Sequence, residues 1–187
     1  MNNLPQGGTY LAGASFDSPS TPATSLYIVD GHPSVAMQKY NMATDVWATR
    51  NEIPTNRALS TGGGAAAAVG ATRIYVVGSG LPPYPSYGKV NEQYTILTDA
   101  WTSRVSMPMG RLAAGAAAKG NLVFVVGGAV PSYIDCLEIY NAATDSWMTG
   151  RPRNATRVAT AASLCALGAC PVGSGSCVQL IRCPPAA

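Results

Sequence analysis

A phrase of eight residues that begins with tyrosine and ends with tryptophan occurs three times in this chain, and it limits the possible folds more than any other feature. The copies are YNMATDVW, YTILTDAW and YNAATDSW, which begin at residues 40, 94 and 140. In each copy, Thr-Asp stands just before the last two positions. A motif that recurs at a period of about 50 residues is typical of an array of similar units, each of which buries its apolar face against the next.

Two further features follow the same period. Apolar, β-branched runs begin at residues 26, 74 and 123, upstream of each tyrosine–tryptophan phrase, and each run ends near glycine. A stretch rich in small residues precedes each run, at residues 9–15, 60–70 and 112–120. Each unit therefore contains four short segments, labelled a to d, in which c ends at the tyrosine and d begins at the tryptophan. These segments have the length of typical strands.

The composition supports strands rather than helices. The 187 residues include 20 glycines and 14 prolines, and only 11% of them are charged. Glycine and proline at this density mark many turns, as expected between short strands. Alanine is the best helix former, but glycine flanks the alanine-rich stretches and a β-branched run follows them. A unit of about 50 residues with four short strands is the pattern of a propeller blade.

The sequence resembles a known family, the kelch-repeat proteins. The resemblance rests on the run that ends in Gly127-Gly128, on the tyrosine–tryptophan phrase, and on the segment MPMGR at residues 107–111. It covers residues 9 to about 157, which is most of the chain. It implies a β-propeller in which blades of four antiparallel strands surround a central axis.

We predict an all-β fold, a kelch-type β-propeller with three complete four-stranded blades and part of a fourth. The predicted units are an N-terminal extension at 1–8, blades at 9–56, 57–110 and 111–156, a partial blade at 157–175 and an irregular tail at 176–187. Propellers usually have about 4–8 blades. The prediction is therefore an incomplete or open ring, which belongs to a fragment or which self-association completes.

The repeated aromatic residues are predicted to be structural rather than ligand-binding. Each ring supplies about 150–250 Å² of apolar area when buried, and a blade needs its neighbours to bury both faces. Glycine at the end of segment b is expected to permit close backbone approach, and small residues in segment a let the blades converge at the axis. The predicted signature residues are Tyr40, Trp47, Tyr94, Trp101, Tyr140, Trp147, Gly127 and Gly128.

No catalytic, cofactor or metal site is predicted. The chain has a single histidine, His32, and lacks the nucleophile-elbow, phosphate-loop and zinc-protease motifs. Four of its five cysteines, at residues 165, 170, 177 and 183, have spacings that do not match structural zinc sites. We therefore expect reduced thiols and no enzymatic activity. A sugar-binding or mutarotase-like propeller enzyme, built from scattered arginine and glutamate residues, is the alternative.

Charge and hydropathy argue against two classes of partner. The formal net charge is +3, but the basic residues form no block of the kind that nucleic-acid-binding proteins show. No apolar stretch is long enough to span a bilayer, and the N-terminus lacks the pattern of a signal peptide. We expect a cytoplasmic protein, with the nucleus as the other compartment that fits.

A protein or peptide is the predicted partner. In a four-stranded antiparallel blade the b–c and d–a loops emerge on the same face, and the b–c loops of the second and third units are rich in proline and tyrosine. Tyrosine and arginine are enriched at binding hot spots, and the family resemblance implies that arginines on this face hold acidic peptides. The predicted contacts are Tyr84, Tyr87, Tyr133, Arg57, Arg111 and Arg157. The alternative for the arginines is a structural role, in which they bond inner-strand carbonyls or neighbouring blades.

Overall fold

The repeated units form separate antiparallel sheets. A computed structural model describes residues 2–5, 12–18, 21–29, 36–55, 57, 63–81, 86–130, 132–133 and 136–149. Every regular element within these ranges is a β-strand. No helix long and apolar enough to cross a membrane occurs in this part of the chain. The predicted partial blade at 157–175 and the tail at 176–187 lie outside the described residues.

The first sheet, blade 1, has four strands that follow each other in space as they do in the chain. They are β1 (Ala12–Ser18), β2 (Thr21–Val29), β3 (Met37–Asn41) and β4 (Val46–Arg50). These strands correspond to segments a to d. All pairings between neighbours are antiparallel.

Blades 2 and 3 have the same order and contain an additional small hairpin between segments b and c. In blade 2 the strands are β5 (Ala65–Val69), β6 (Arg73–Val77), the hairpin β7 (Gly80–Leu81) and β8 (Ser86–Tyr87), then β9 (Asn91–Thr95) and β10 (Ala100–Ser103). In blade 3 they are β11 (Gly115–Lys119), β12 (Leu122–Val126), the hairpin β13 (Ala129–Val130) and β14 (Ser132–Tyr133), then β15 (Leu137–Asn141) and β16 (Ser146–Thr149). The all-β prediction is confirmed: three four-stranded sheets form an incomplete propeller of the kelch type.

The small-residue strands lie innermost, side by side. Strand β5 lies between β1 and β11, and the three strands line a cavity of about 240 Å³ through residues 13–15, 66–68 and 116–118. Alanine, glycine and serine occupy all of these positions. Side chains of this size let three strands converge where larger ones would collide, which explains the alanine-rich stretches without helix formation.

The side chains of β6, the b strand of blade 2, alternate between the two neighbouring blades, as the pleat of a strand requires. Ile74 and Val76 of β6 belong to a buried cluster shared with blade 1. Tyr75 and Val77 of the same strand belong to a second cluster shared with blade 3. Blade 2 is therefore buried on both faces, and each face depends on a neighbour.

The tyrosines of the repeated phrase are core residues, whereas the tryptophans lie at the margin of the core. Tyr94 and Tyr140 are almost fully buried, but Trp47, Trp101 and Trp147 remain partly exposed. In each blade the two rings stand directly opposite each other on strands c and d. The prediction that all six rings belong to the core therefore holds in full only for the tyrosines.

The backbone at the ends of β6 and β12 explains the glycines found there. Gly78 and Gly128 have positive φ angles of 71° and 95°. A Cβ atom at these positions would lie 2.7 Å and 2.6 Å, respectively, from a backbone carbonyl oxygen, which no ordinary packing allows. Ser79, which replaces the second glycine in blade 2, has a φ angle of 139°. Its hydroxyl group is buried and has no hydrogen-bond partner within the described ranges.

Replacing Ser79 by glycine is expected to raise the free energy of unfolding by about 1 kcal/mol. A non-glycine residue at such a φ angle stores about 1–3 kcal/mol of strain, which glycine would relieve. Part of this stabilisation is offset because glycine increases the conformational entropy of the unfolded chain. Urea denaturation followed by tryptophan fluorescence measures the difference. A loss of stability in Ser79→Gly would show that the serine hydroxyl makes a stabilising contact.

Candidate functional site

The c–d hairpins carry a repeated set of three side chains, which we call the clasp: the tyrosine, aspartate and tryptophan of one phrase. The hydroxyl groups of Tyr40, Tyr94 and Tyr140 each donate a hydrogen bond of 2.6 Å to the aspartate five residues later. These aspartates have φ angles between 48° and 54°, which asparagine and aspartate tolerate better than other side chains. The hydrogen bond from tyrosine is the main reason why the pKa of Asp99 and that of Asp145 lie below the usual range.

Each clasp holds one residue of the segment that precedes its blade, which we call the linker. The Asn51 amide donates to Asp99 Oδ1 at 3.1 Å, and Trp101 Nε1 donates to the Asn51 carbonyl at 2.9 Å. Val105 is held in the same way by Asp145 at 3.0 Å and by Trp147 at 2.7 Å. The phrase therefore joins neighbouring blades in addition to closing its own hairpin.

The clasp of blade 1 is occupied by Asn2. The Asn2 amide donates to Asp45 Oδ1 at 2.8 Å, and Trp47 Nε1 donates to the Asn2 carbonyl at 3.1 Å. The Asn2 side chain donates to the Asp45 carbonyl at 2.6 Å, as the Asn51 side chain does to the Asp99 carbonyl. Residues 2–5, within the predicted N-terminal extension at 1–8, therefore contact blade 1 as the linkers contact blades 2 and 3. The signal was the similarity between NNLP at residues 2–5 and NEIP at residues 51–54.

Two of the predicted contact arginines are buried. Arg57 and Arg111 are 1% and 0% exposed. Each pairs with a glutamate of the following blade, Arg57 with Glu92 at 2.5 Å and Arg111 with Glu138 at 2.5 Å. These glutamates stand two residues before the tyrosine of the clasp. Neither guanidinium group lies on the surface that the partner hypothesis requires, and burial favours the structural alternative.

Backbone groups complete the surroundings of the Arg111–Glu138 pair. Arg111 Nη1 donates to the carbonyl oxygens of Gly127 at 3.0 Å and Cys136 at 3.1 Å. The Met109 amide donates to Glu138 Oε1 at 3.0 Å. Burial raises the pKa of Glu138 and lowers that of Arg111, and each partner opposes the shift of the other. The pair thus ties a linker to strand c at a large desolvation cost.

Blade 1 lacks both members of this pair. Gln38 stands two residues before Tyr40, where the other blades have glutamate, and Gly8 stands three residues after Pro5, where the other linkers have arginine. Gln38 is buried. By sequence, the two positions equivalent to the arginine–glutamate pair are therefore both uncharged for blade 1.

The two tyrosines that the structure places in the b–c hairpins stand at equivalent positions. Tyr87 pairs with Gly80, and Tyr133 pairs with Ala129, so that each lies opposite the third residue after the end of strand b. A serine precedes both tyrosines. The hairpins lie on the b–c side of adjacent blades, away from the clasps. Tyr84 and Arg157 lie outside the described residues.

The described part of the chain holds no group of three or more histidine, cysteine, aspartate or glutamate side chains that could bind a metal ion. His32 lies outside that part. Cys136 is disulfide-bonded, so the expectation of reduced thiols is wrong for this residue.

Comparisons with known proteins support the same architecture. The family model described as "Kelch motif" matches residues 110–154. No curated protein matches the chain. A solved structure entitled "Structure of YjhT" aligns with a TM-score of 0.57 and 15% sequence identity, covering 74% of this chain and 50% of that one. Identity at this level shows a shared fold alone, and this chain spans half of the length of that relative.

Proposed function

We propose that this chain, a kelch-repeat protein, is an interaction module without enzymatic activity that binds a protein or peptide through the b–c hairpins of blades 2 and 3. The observation that carries the proposal is the pair of added hairpins. They are not part of the four-stranded sheets, and both place a Ser-Tyr dipeptide at the same register on neighbouring blades. Features that the blade does not need for its own fold are candidates for recognition.

The chemistry of these hairpins suits a peptide. Their backbones are short two-stranded ribbons, and tyrosine provides broad, rigid and amphipathic contact at low entropic cost. Two such positions on adjacent blades give an extended partner two anchors. The proposal does not use Arg57 and Arg111 as contacts, because both are buried. Two arginine–glutamate pairs of the described residues, Arg57–Glu92 and Arg111–Glu138, are likewise engaged with each other in the interior and are not free to bind a sugar.

Selection of peptides from a random display library against the full chain tests this function. Peptides that bind the unaltered chain are then measured with the double variant Tyr87→Ala/Tyr133→Ala. We expect the affinity to fall at least about tenfold, or about 1.4 kcal/mol. The matched control is Leu97→Ala, because Leu97 is 91% exposed in a c–d turn, on the opposite face from the b–c hairpins. This control should leave the affinity unchanged.

Two results would contradict the proposal. One is a peptide affinity that the double variant and the Leu97→Ala control change equally, with melting temperatures like that of the unaltered chain. The other is a failure to select any peptide while a panel of free sugars raises the melting temperature. The second result would favour the sugar-binding alternative.

A further inference from the structure

The linker that enters blade 3 passes between the two b–c hairpins. A Cβ atom on Gly78 would lie 2.7 Å from the carbonyl oxygen of Arg111, and one on Gly128 would lie 2.6 Å from that of Leu112. Two consecutive carbonyl groups of the linker therefore meet the ends of two b strands that belong to different blades. Only glycine permits so close an approach, so the linker is fixed between the bases of the two hairpins.

The backbone of Arg111 bonds both stems of the blade 2 hairpin. Its carbonyl oxygen accepts a hydrogen bond from the Ser79 amide at 2.8 Å, and its amide donates to the Gly88 carbonyl at 3.1 Å. Ser79 comes directly before β7, and Gly88 comes directly after β8, the strand that carries Tyr87. These bonds do not involve the arginine side chain, so any residue other than proline can make them at position 111.

The side chain of Arg111 bonds both stems of the blade 3 hairpin. Its Nη1 donates to the carbonyl oxygen of Gly127 at 3.0 Å and to that of Cys136 at 3.1 Å. Gly127 and Cys136 flank this hairpin on its two sides, and the Gly127 amide also donates to the Cys136 carbonyl at 3.2 Å. Glu138 holds the other terminal nitrogen of the buried guanidinium group, Nη2. The planar group, which presents several donors in a fixed geometry, therefore ties the two stems together.

Leu112 connects the linker to the hairpin strand that pairs with Tyr133. Its amide donates to the Ala129 carbonyl at 3.3 Å, and its carbonyl oxygen accepts from the Ala129 amide at 3.1 Å. Ala129 is the first residue of β13 and also pairs with Tyr133 of β14. The linker is thus bonded to both hairpins through residues that adjoin or pair with the two tyrosines.

We propose that Arg111 is a positioning residue of the peptide-binding surface. Its backbone fixes the blade 2 hairpin, its side chain fixes the blade 3 hairpin, and one extended peptide contacts both hairpins at once. This inference rests on the proposed function. Two anchors that one residue holds keep their spacing, so a bound peptide loses less entropy in making its second contact than it would with an independent hairpin.

The hairpin bonds also give a reason for a charged residue at this place. A buried charged pair is a costly way to join two blades, since an apolar pair of similar volume is often as stable or more stable. An apolar side chain at position 111 could fill the same space, but it could not donate to the carbonyl groups of Gly127 and Cys136. The arginine therefore does something for the hairpin that the packing of the blades does not require.

Hydrogen exchange of the full chain without peptide tests the positioning role by itself. The variant is Arg111→Met/Glu138→Leu, which removes the buried pair and its side-chain bonds but keeps the backbone bonds of residue 111. We expect the Gly127 amide to exchange at least about fivefold faster in this variant, because the stems lose the bonds that joined them. The Ser79 and Gly88 amides are the internal control and should exchange at the unaltered rate.

Peptide binding then tests whether the positioning matters for recognition. A peptide selected against the unaltered chain is measured with Tyr133→Ala and with Tyr87→Ala, each in the unaltered chain and in Arg111→Met/Glu138→Leu. Both backgrounds keep the disulfide bond of Cys136. We expect the background variant to bind at least about threefold more weakly, and the affinity loss caused by Tyr133→Ala to become at least about threefold smaller there, because the blade 3 hairpin is no longer held. The loss caused by Tyr87→Ala should stay the same.

The outcomes separate the positioning role from the proposed function. If neither Tyr87→Ala nor Tyr133→Ala lowers the affinity of the unaltered chain, the proposed function fails, and this inference fails with it. If the tyrosines matter but Arg111→Met/Glu138→Leu binds the peptide like the unaltered chain, or if the exchange rates of the two hairpins change equally, the positioning role alone is wrong. Should this variant not fold, Arg111→Met/Glu138→Gln replaces it with the same expectations, because glutamine keeps an acceptor for the amide that now bonds Glu138.

Discussion

Replacing Arg111 by alanine is expected to destabilise the protein by about 3–5 kcal/mol, because the substitution leaves the Glu138 carboxylate buried without its counter-charge. The side chain of Arg111 is 0% exposed and that of Glu138 is 2% exposed, with 2.5 Å between the charged groups. The Gly127 carbonyl would also lose this donor, and the Cys136 carbonyl would keep only the bond from the Gly127 amide. Since small proteins unfold at a cost of about 5–15 kcal/mol, this is a large share of the total. Urea denaturation measures it.

The double variant Arg111→Met/Glu138→Leu is the matched control. It removes both charges and keeps most of the apolar volume, and replacing a whole buried pair in this way is often neutral or stabilising. We therefore expect it to recover most of the stability that Arg111→Ala loses. If Arg111→Ala instead kept the stability within about 1 kcal/mol of the unaltered chain and weakened peptide binding, Arg111 would act at the surface, and the buried pair would not persist in solution.

The blade could be predicted from sequence because its determinants are local and periodic. The spacing of Tyr40 and Trp47 places them on opposite sides of a four-residue turn, and the strands pair accordingly. The alternation in LYIV and its equivalents sets which residues face each neighbour. The innermost position of the alanine-rich strands follows from size alone. Turn length, strand alternation and side-chain volume can all be read from the sequence without knowing how the blades pack.

The role of the arginines could not be predicted in the same way. A position three residues after proline in a linker is compatible with a loop surface or with the interior, and only the packing of blade against blade decides between them. One signal was available. Glutamate stands two residues before the tyrosine in blades 2 and 3, which follow linkers that carry an arginine, whereas Gln38 stands there in blade 1, whose preceding segment has no arginine. The arginine and the glutamate are either both present or both absent in a unit, which indicates that they form a pair. The additional b–c hairpins carried a weaker signal, the repeated Ser-Tyr.

Replacing Tyr140 by alanine is expected to cost about 3–5 kcal/mol, the usual range for large aromatic residues in a core. Tyr140 is 0% exposed. Its ring lies 5.1 Å from that of Trp147 within blade 3 and 5.2 Å from that of Tyr75 in blade 2, between centroids. Tyr140→Phe keeps both ring contacts and removes only the hydrogen bond to Asp145, whose partly exposed carboxylate stays bonded to the Val105 amide. It should therefore cost only about 1 kcal/mol.

Tyr40→Ala separates the contact within a blade from the contact between blades. Tyr40 has the same neighbours inside its blade, with Trp47 at 4.8 Å and Asp45 at 2.6 Å, but no tyrosine of a preceding blade packs against it within the described part of the chain. Tyr40→Ala should cost less than Tyr140→Ala, by at least the 0.5–1.5 kcal/mol or so that an aromatic pair contributes beyond its buried area. Equal costs for the two variants would mean that the contact between the rings of Tyr140 and Tyr75 adds nothing at this junction beyond the other apolar contacts, the clasp and the arginine–glutamate pair.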